Sequence, residues 1–161
     1  METVFLLLGG NIGDRENVIY NAISLIKSNI GTVLQVSSIY ETEPWGMLNA
    51  KSFLNIAVKL TTELAAFELL DALLKIEEQL GRKRNPAAME YESRPIDIDI
   101  MFYGSCVIQT NQLTIPHPHI QSRKFVLVPL CEIAADFIHP VFVLVGGTMH
   151  PAPYVTLLRW G

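Results

Sequence analysis

The order in which strand-like and helix-like hydrophobic periods alternate over residues 3–103 constrains this chain more than any other feature. Residues 3–8 are an unbroken β-branched and aliphatic run that ends at Gly9-Gly10, as a buried strand would. Asp14 can cap a helix over residues 15–28, with Val18, Ala22, Ile23 and Ile26 as its apolar stripe and Gly31 as its stop. Residues 32–42 are rich in β-branched side chains and read as a second strand. Pro44, Gly46 and Asn49 mark a loop. Residues 53–60 form a third strand, with Leu54, Ile56, Val58 and Leu60 on one face and Phe53, Asn55 and Ala57 on the other. Thr62 or Glu63 opens a helix over residues 64–80 that Gly81 closes. A long polar loop, 82–95, leads into a fourth strand over residues 96–103. Residues 124–135 read as a further helix. The order β-α-β-β-α-β predicts an α+β, ferredoxin-like fold: an antiparallel sheet with two helices on one face, followed by a C-terminal extension. That fold hosts many activities and names none.

A length of 161 residues suits one domain over 1–161, with residues 141–161 left unassigned. Half the residues are hydrophobic, enough for a sizeable core. Twelve Lys plus Arg against sixteen Asp plus Glu give −4, which argues against a nucleic-acid partner. The apolar runs are short against the roughly 20 residues of a membrane span, so no membrane partner is expected. Met1-Glu2 opens without a basic n-region. Cys106 and Cys131 form no Cys-x-x-Cys pair and read as reduced, consistent with a cytoplasmic location.

Asp97-Ile98-Asp99 is the sharpest local motif. On a strand the two carboxylates share a face, roughly 6.5 Å apart, while Ile96, Ile98 and Ile100 point into the core. Two such carboxylates repel unless a cation sits between them, and hard oxygens at this spacing suit Mg²⁺. The plain alternative is a solvated strand face. Arg82, Lys83, Arg84 and Arg94 lie just upstream, and guanidinium forks match phosphate oxygens, so the group reads as a metal–polyphosphate clamp or as a solubilising loop of salt bridges. Phe53 and Asn55 share a strand face and suit a flat heterocycle, or ordinary sheet packing. Pro116-His117-Pro118-His119 is a stiff turn ahead of Arg123 and Phe125, where His117 and Arg123 could extend a phosphate clamp. No P-loop, Gly-x-Gly-x-x-Gly or protein-kinase motif set is present.

These segments together resemble the 6-hydroxymethyl-7,8-dihydropterin pyrophosphokinase family of folate biosynthesis. The resemblance rests on Leu8-Gly9-Gly10-Asn11-Ile12-Gly13-Asp14, on the stretch from Val36 to Gly46, and on Phe53-Leu54-Asn55-Ile56-Ala57-Val58. Ile76-Glu77, Gly81-Arg82-Lys83-Arg84 and Ser93-Arg94-Pro95-Ile96-Asp97-Ile98-Asp99-Ile100 continue it, and Leu113-Thr114-Ile115-Pro116-His117-Pro118-His119, Arg123, Phe125 and Val128-Pro129-Leu130 complete it. It implies a monomeric, Mg²⁺-dependent kinase that moves the β,γ-pyrophosphoryl unit of ATP to the hydroxymethyl oxygen of the dihydropterin, releasing AMP. By the same resemblance Arg82, Arg94, Asp97 and Asp99 are catalytic, and Asp97 and Asp99 hold two Mg²⁺ ions. Glu77, Arg82, Arg84, Arg94, Ile100, Thr114, His117 and Arg123 match ATP-binding positions, and Gly9, Thr42, Glu43, Trp45, Phe53, Asn55 and Phe125 match pterin-binding ones. The chain departs from the family pattern at Gly10, where a Ser is common, at Gln112, where some members carry Arg, and at Glu90-Tyr91-Glu92-Ser93, where many have Trp-Gly-Pro before the equivalent of Arg94.

Two other classes compete: a non-catalytic ferredoxin-like module that senses a nucleotide or metal, and an RNA-recognition domain. A sensor needs no paired metal carboxylates. The third strand lacks the basic and aromatic pattern of an RNA binder.

Overall fold

The computed structural model describes residues 1–43, 51–84, 92–120, 123–134, 137, 142–145 and 148–151. Strand β1 (Glu2–Gly10) lies inside a five-stranded antiparallel sheet. It pairs on one side with β4 (Phe53–Thr62) and on the other with β5 (Asp97–Tyr103). β2 (Gly31–Val36) and β3 (Tyr40–Thr42) both pair with the outer edge of β4, giving the order β2-β4-β1-β5 with β3 beside β4. Alternation along each strand sorts the side chains to two faces. Val4, Leu6, Leu8, Ile56, Val58, Ile98 and Ile100 meet α1 (Arg15–Asn29) and α2 (Ala66–Gln79) through Ile19, Ile26, Leu69 and Leu73.

The opposite face is also covered. Phe5, Leu7, Ala57, Met101 and Phe102 pack against Val126, Leu130 and Ile133 of α3 (Lys124–Ile133). A register shift between Phe5 and Leu6 accompanies the placement of both Met101 and Phe102 on this side. Glu132 pins α3 to the sheet edge: its carboxylate accepts from the Ser38 N–H at 3.0 Å, the Ser38 hydroxyl at 3.0 Å and the Tyr40 hydroxyl at 2.9 Å. Two small hairpins follow in the chain. β6 (Ile108–Gln109) pairs with β7 (Thr114–Ile115), and β8 (Phe142–Val145) pairs with β9 (Thr148–Pro151). No helix among the described residues is long and apolar enough to cross a membrane, and Cys106 and Cys131 are both free.

The periodic elements fall where the hydrophobic pattern predicts, with three corrections. The expected strand over 32–42 is two strands, because Ser37 leaves the edge ladder. Its N–H donates to the Ala57 carbonyl at 2.9 Å, and its hydroxyl oxygen accepts from the Ala57 N–H at 2.9 Å. The second helix begins after Ala65, not at Thr62 or Glu63. The Thr62 hydroxyl donates to the Ile30 carbonyl at 2.7 Å and accepts from the Leu64 N–H at 3.2 Å, ahead of the helix, and at the helix start Glu68 accepts from the Ala65 N–H at 2.9 Å. Gly81, at φ 92°, does close that helix.

Gly31 is not the stop of α1, which caps at Ile30, but the first residue of β2. A Cβ there would overlap the carbonyl oxygen of Thr61 on β4. Gly31→Ala is therefore expected to lower the unfolding free energy by about 2 kcal/mol or more, read as an earlier midpoint in urea. An unchanged midpoint contradicts this account of the β2–β4 contact.

Candidate active site

The site forms where the β1, β4 and β5 ladder meets the N-terminal end of α3. The register aligns Asn55, Gly9 and Asp97 in one cross-strand row, and Ala57, Leu7 and Asp99 in the next. Gly9 has no side chain, so the row has a gap between Asn55 and Asp97. A Cβ at Gly9 would lie 2.9 Å from Asn55 Oδ1. The cavity above this floor holds about 670 Å³ of empty space, part of it open solvent. It is lined by Thr42, Glu43, Phe53, Asn55 and Phe125 together with Arg94, Asp97, Asp99, His117 and Arg123. Thus Gly9, Thr42, Glu43, Phe53, Asn55 and Phe125, six of the seven expected pterin-binding residues, come together here. The seventh, Trp45, lies outside the described residues, as do Glu90 and Tyr91. Leu7, Met101 and Val126 supply apolar walls that the motif reading passed over.

A second cavity adjoins the first and shares Asp99 and His117 with it. Its walls include Arg84, Ile100, Thr114 and Gln112, so four expected ATP-binding positions (Arg84, Ile100, Thr114 and His117) meet in it. Ile100 contributes from the strand while its side chain packs in the helix-side core.

Charge at the junction is held in a network of guanidinium and carboxylate groups. Arg82 Nη1 bonds Asp97 Oδ1 and also donates to the Ile96 carbonyl at 3.2 Å. Arg94 Nη2 meets the other Asp97 oxygen at 2.7 Å, and its guanidinium lies over the Phe53 ring, 5.4 Å from the centroid. Glu77 reaches in from α2 and is only 1 % exposed. One of its oxygens accepts from the Ile98 N–H at 2.7 Å, and the other pairs with Arg84 at 2.6 Å and Arg82 at 3.4 Å. Glu77 and Arg82 line neither of these two cavities but a third, which they share with Lys83 and Arg84. Burial pushes the Glu77 carboxyl up and the Asp97 charge adds to this, against the pull of Arg82, the Ile98 N–H and Arg84. Burial works against the Arg82 charge, yet Asp97 and Glu77 beside it outweigh that and raise its pKa.

Asp99 is the unsatisfied member. Burial and the neighbouring Asp97 charge push its pKa up, to about 7, and no hydrogen bond from another described residue reaches it. The Arg94 Nε–H is buried and unpaired. The junction therefore offers an under-compensated carboxylate pair and an idle guanidinium donor, which fits a divalent cation with phosphate oxygens as its remaining ligands. Among the described residues no group of three or more His, Cys, Asp or Glu side chains could hold a metal without such added oxygens.

His117 is fixed as a neutral donor. Its backbone N–H bonds the Met101 carbonyl at 3.0 Å, and its Nδ1 accepts from the His119 N–H at 3.2 Å, which leaves the ring proton on Nε2. Burial, with His119 and Arg123 nearby, lowers its pKa to about 4. On the other side, Asn55 Nδ2 donates to the Thr42 hydroxyl oxygen at 2.9 Å, which sets the amide orientation.

Asn11 is a buried hub that no motif argument isolates, because it follows the glycines without a recognisable pattern of its own. It is 0 % exposed. Its N–H donates to the Arg94 carbonyl at 3.0 Å and its Oδ1 accepts from the Arg94 N–H at 2.8 Å. Its Nδ2 reaches the Lys51 carbonyl at 3.2 Å and the Ser93 hydroxyl at 3.0 Å. Gly10, the departure noted above, lies against Pro95, whose carbonyl occupies the space a Cβ would take.

Comparison with known proteins shows the family. The family model for 7,8-dihydro-6-hydroxymethylpterin-pyrophosphokinase (HPPK) matches residues 5–135. A 2-amino-4-hydroxy-6-hydroxymethyldihydropteridine pyrophosphokinase of Aquifex aeolicus is 39% identical over 142 residues, covering 88% of this chain and 86% of that protein. The protein of the same name from Bacillus subtilis is 44% identical over 130 residues, 80% of this chain and 76% of its own length. The HPPK-DHPS crystal structure from Plasmodium falciparum superposes with a TM-score of 0.68 at 16% identity, over 86% of this chain, and so speaks to the fold. This chain spans 42% of that longer one. The chain belongs to the 7,8-dihydro-6-hydroxymethylpterin-pyrophosphokinase family.

Proposed function

We propose that this protein transfers the β,γ-pyrophosphoryl unit of ATP to the hydroxymethyl oxygen of 6-hydroxymethyl-7,8-dihydropterin, releasing AMP, as a step of folate biosynthesis. Family membership carries pyrophosphoryl transfer to the hydroxymethyldihydropterin. The observation that supports the division of labour is one cleft lined both by an aromatic and amide set, Phe53, Asn55 and Phe125, and by an ionic set, Arg94, Asp97, Asp99 and His117. The pterin ring lies between Phe53 and Phe125, with Asn55 and the backbone at Thr42 and Glu43 on its polar edge. The nucleotide runs from the junction into the second cavity past Arg84, Ile100, Thr114 and His117.

Little covalent chemistry is asked of the protein in such a transfer; positioning and charge neutralisation do most of it. Arg82 and Arg94 exchange Asp97 for phosphate oxygens as the nucleotide enters, which frees both Asp97 oxygens. Asp97 and Asp99 would then hold two Mg²⁺ ions, which supply charge neutralisation on the phosphates and alignment of the attacking and leaving oxygens. His117 donates Nε2–H to a phosphate oxygen without bringing a charge of its own. Arg123, over the Phe125 ring at 5.7 Å, links the stacking wall to the ionic set. The strand order β2-β4-β1-β5 supports the ferredoxin-like topology. We place the enzyme in the cytoplasm as a single-domain monomer without nucleic-acid or membrane partners.

Incubation with Mg²⁺, ATP and the hydroxymethyldihydropterin is expected to yield AMP in pterin-dependent fashion. ADP as the product, or turnover indifferent to pterin, sinks the reading. Asp97→Ala and Asp99→Ala should each lose on the order of 10²-fold or more in kcat with the fold intact by circular dichroism; full activity in either removes it from the clamp.

The neutral His117 gives a second test, on stability. The folded protein takes up this proton near pH 4 and the unfolded chain near the usual 6.5. The unfolded state therefore binds more protons between those values, and stability falls as pH drops through that window. His117→Gln removes this contribution. Its denaturation midpoint should fall less than the wild-type one between pH 7 and pH 5; parallel losses would show that His117 is not held neutral.

A further inference from the structure

Arg15 is the first residue of α1, yet its side chain is not used by the helix. Nη1 lies 2.9 Å from Glu41 Oε1, 2.8 Å from the Ser52 carbonyl oxygen and 3.0 Å from Ser52 Oγ. The Ser52 hydroxyl in turn donates to Glu41 Oε1 at 2.5 Å. Glu41 is the middle residue of β3, and Ser52 immediately precedes β4. Thr42 pairs with Phe53 and Glu41 with Leu54 across these two strands. One guanidinium thus grips both chain ends that flank the β3–β4 connection, one residue away from Thr42 and Phe53. The neighbouring Lys51 carbonyl is held by Asn11 Nδ2.

We infer that Arg15 is a positioning residue for the dihydropterin: it fixes β3 against the start of β4, and so sets where Thr42, Asn55 and Phe53 stand in the cleft. The inference rests on the pterin-binding reading above. Stability alone gives this cluster little reason to exist. The Arg15 and Glu41 side chains are 28% and 56% exposed, and an ion pair so open to water contributes little to folding. Position is a different matter. Asn55 donates to Thr42, the residue after Glu41, and the Phe53 ring follows Ser52 directly. Thr42 lies on β3 and Asn55 and Phe53 on β4, so a shift of β3 against the start of β4 moves the Thr42 hydroxyl relative to the amide and the ring, while Asp97 and Glu77 are carried by β5 and α2 and stay in place. All three contacts are made by the one nitrogen Nη1, so a lysine ammonium, a point charge with three donors, can replace part of them.

The test is steady-state kinetics of the full chain, varying each substrate while the other is saturating. Arg15→Ala is expected to raise the pterin KM about five-fold, with the ATP KM and kcat unchanged. Arg15→Lys should recover part of the loss. Arg15→Ala combined with Glu41→Gln should cost no more than Arg15→Ala alone, because the two side chains act through one contact. Thermal unfolding checks that each variant folds; if Arg15→Ala does not, Ser52→Ala removes only the hydroxyl link and should raise the same KM to a smaller degree. An unchanged pterin KM, or equal rises in both KM values, overturns the inference. A wild-type protein without pterin-dependent AMP release would instead overturn the functional reading beneath it.

Discussion

The ion pair network around Asp97 is the constraint on which the rest of the site depends. Asp97 lies between Arg82 and Arg94, and Glu77 ties Arg82 and Arg84 to the backbone of β5. A carboxylate as buried as Glu77 is costly unless paired, and here it is paired on both oxygens. Three carboxylates, Glu77, Asp97 and Asp99, face three guanidinium groups, Arg82, Arg84 and Arg94. The balance is local and uneven: among the described residues, Asp97 takes two cations while Asp99 takes no hydrogen bond. Under the proposed function that unevenness is what makes the site receptive: an incoming polyanion with cations would take over the arginines and supply positive charge beside Asp99.

The scaffold delivers these groups by simple means. Strand alternation turns Ile98 and Ile100 toward the helices and Asp97 and Asp99 toward the cleft. Antiparallel register brings Asn55, Gly9 and Asp97 into one row, so the stacking set and the ionic set share a floor. The turn after β1 then locks the Arg94 backbone: its carbonyl accepts from the Asn11 N–H and its N–H donates to Asn11 Oδ1. Helix α3 closes the second face of the sheet and brings Phe125 and Arg123 to the cleft, with Glu132 holding it to Ser38 and Tyr40.

Much of this was legible in the sequence because it rests on period. The Ile-Asp-Ile-Asp-Ile alternation places both carboxylates correctly with no reference to any other protein, as do Phe53 and Asn55 opposite Leu54 and Ile56. Positions that depend on tertiary hydrogen bonds were not legible. The break at Ser37 comes from its contacts to Ala57, twenty residues away. The buried role of Glu77 comes from the Ile98 N–H, and a glutamate on an amphipathic helix carries no mark of it. Asn11 and Arg15 bond residues that are distant in sequence, so neither spacing nor composition singles them out. The net charge of −4 says nothing about local charge, because Arg82, Arg84 and Arg94 are gathered around Glu77 and Asp97.

Under the proposed function, Arg82 and Arg94 hold Asp97 only until nucleotide phosphates take the place of its carboxylate. A crystal structure with Mg²⁺ and a non-hydrolysable ATP analogue tests it most directly. The account predicts both guanidinium groups on phosphate oxygens, including the now idle Arg94 Nε–H, with Asp97 and Asp99 turned to metal. Both arginines still paired with Asp97 while the analogue is bound would contradict it.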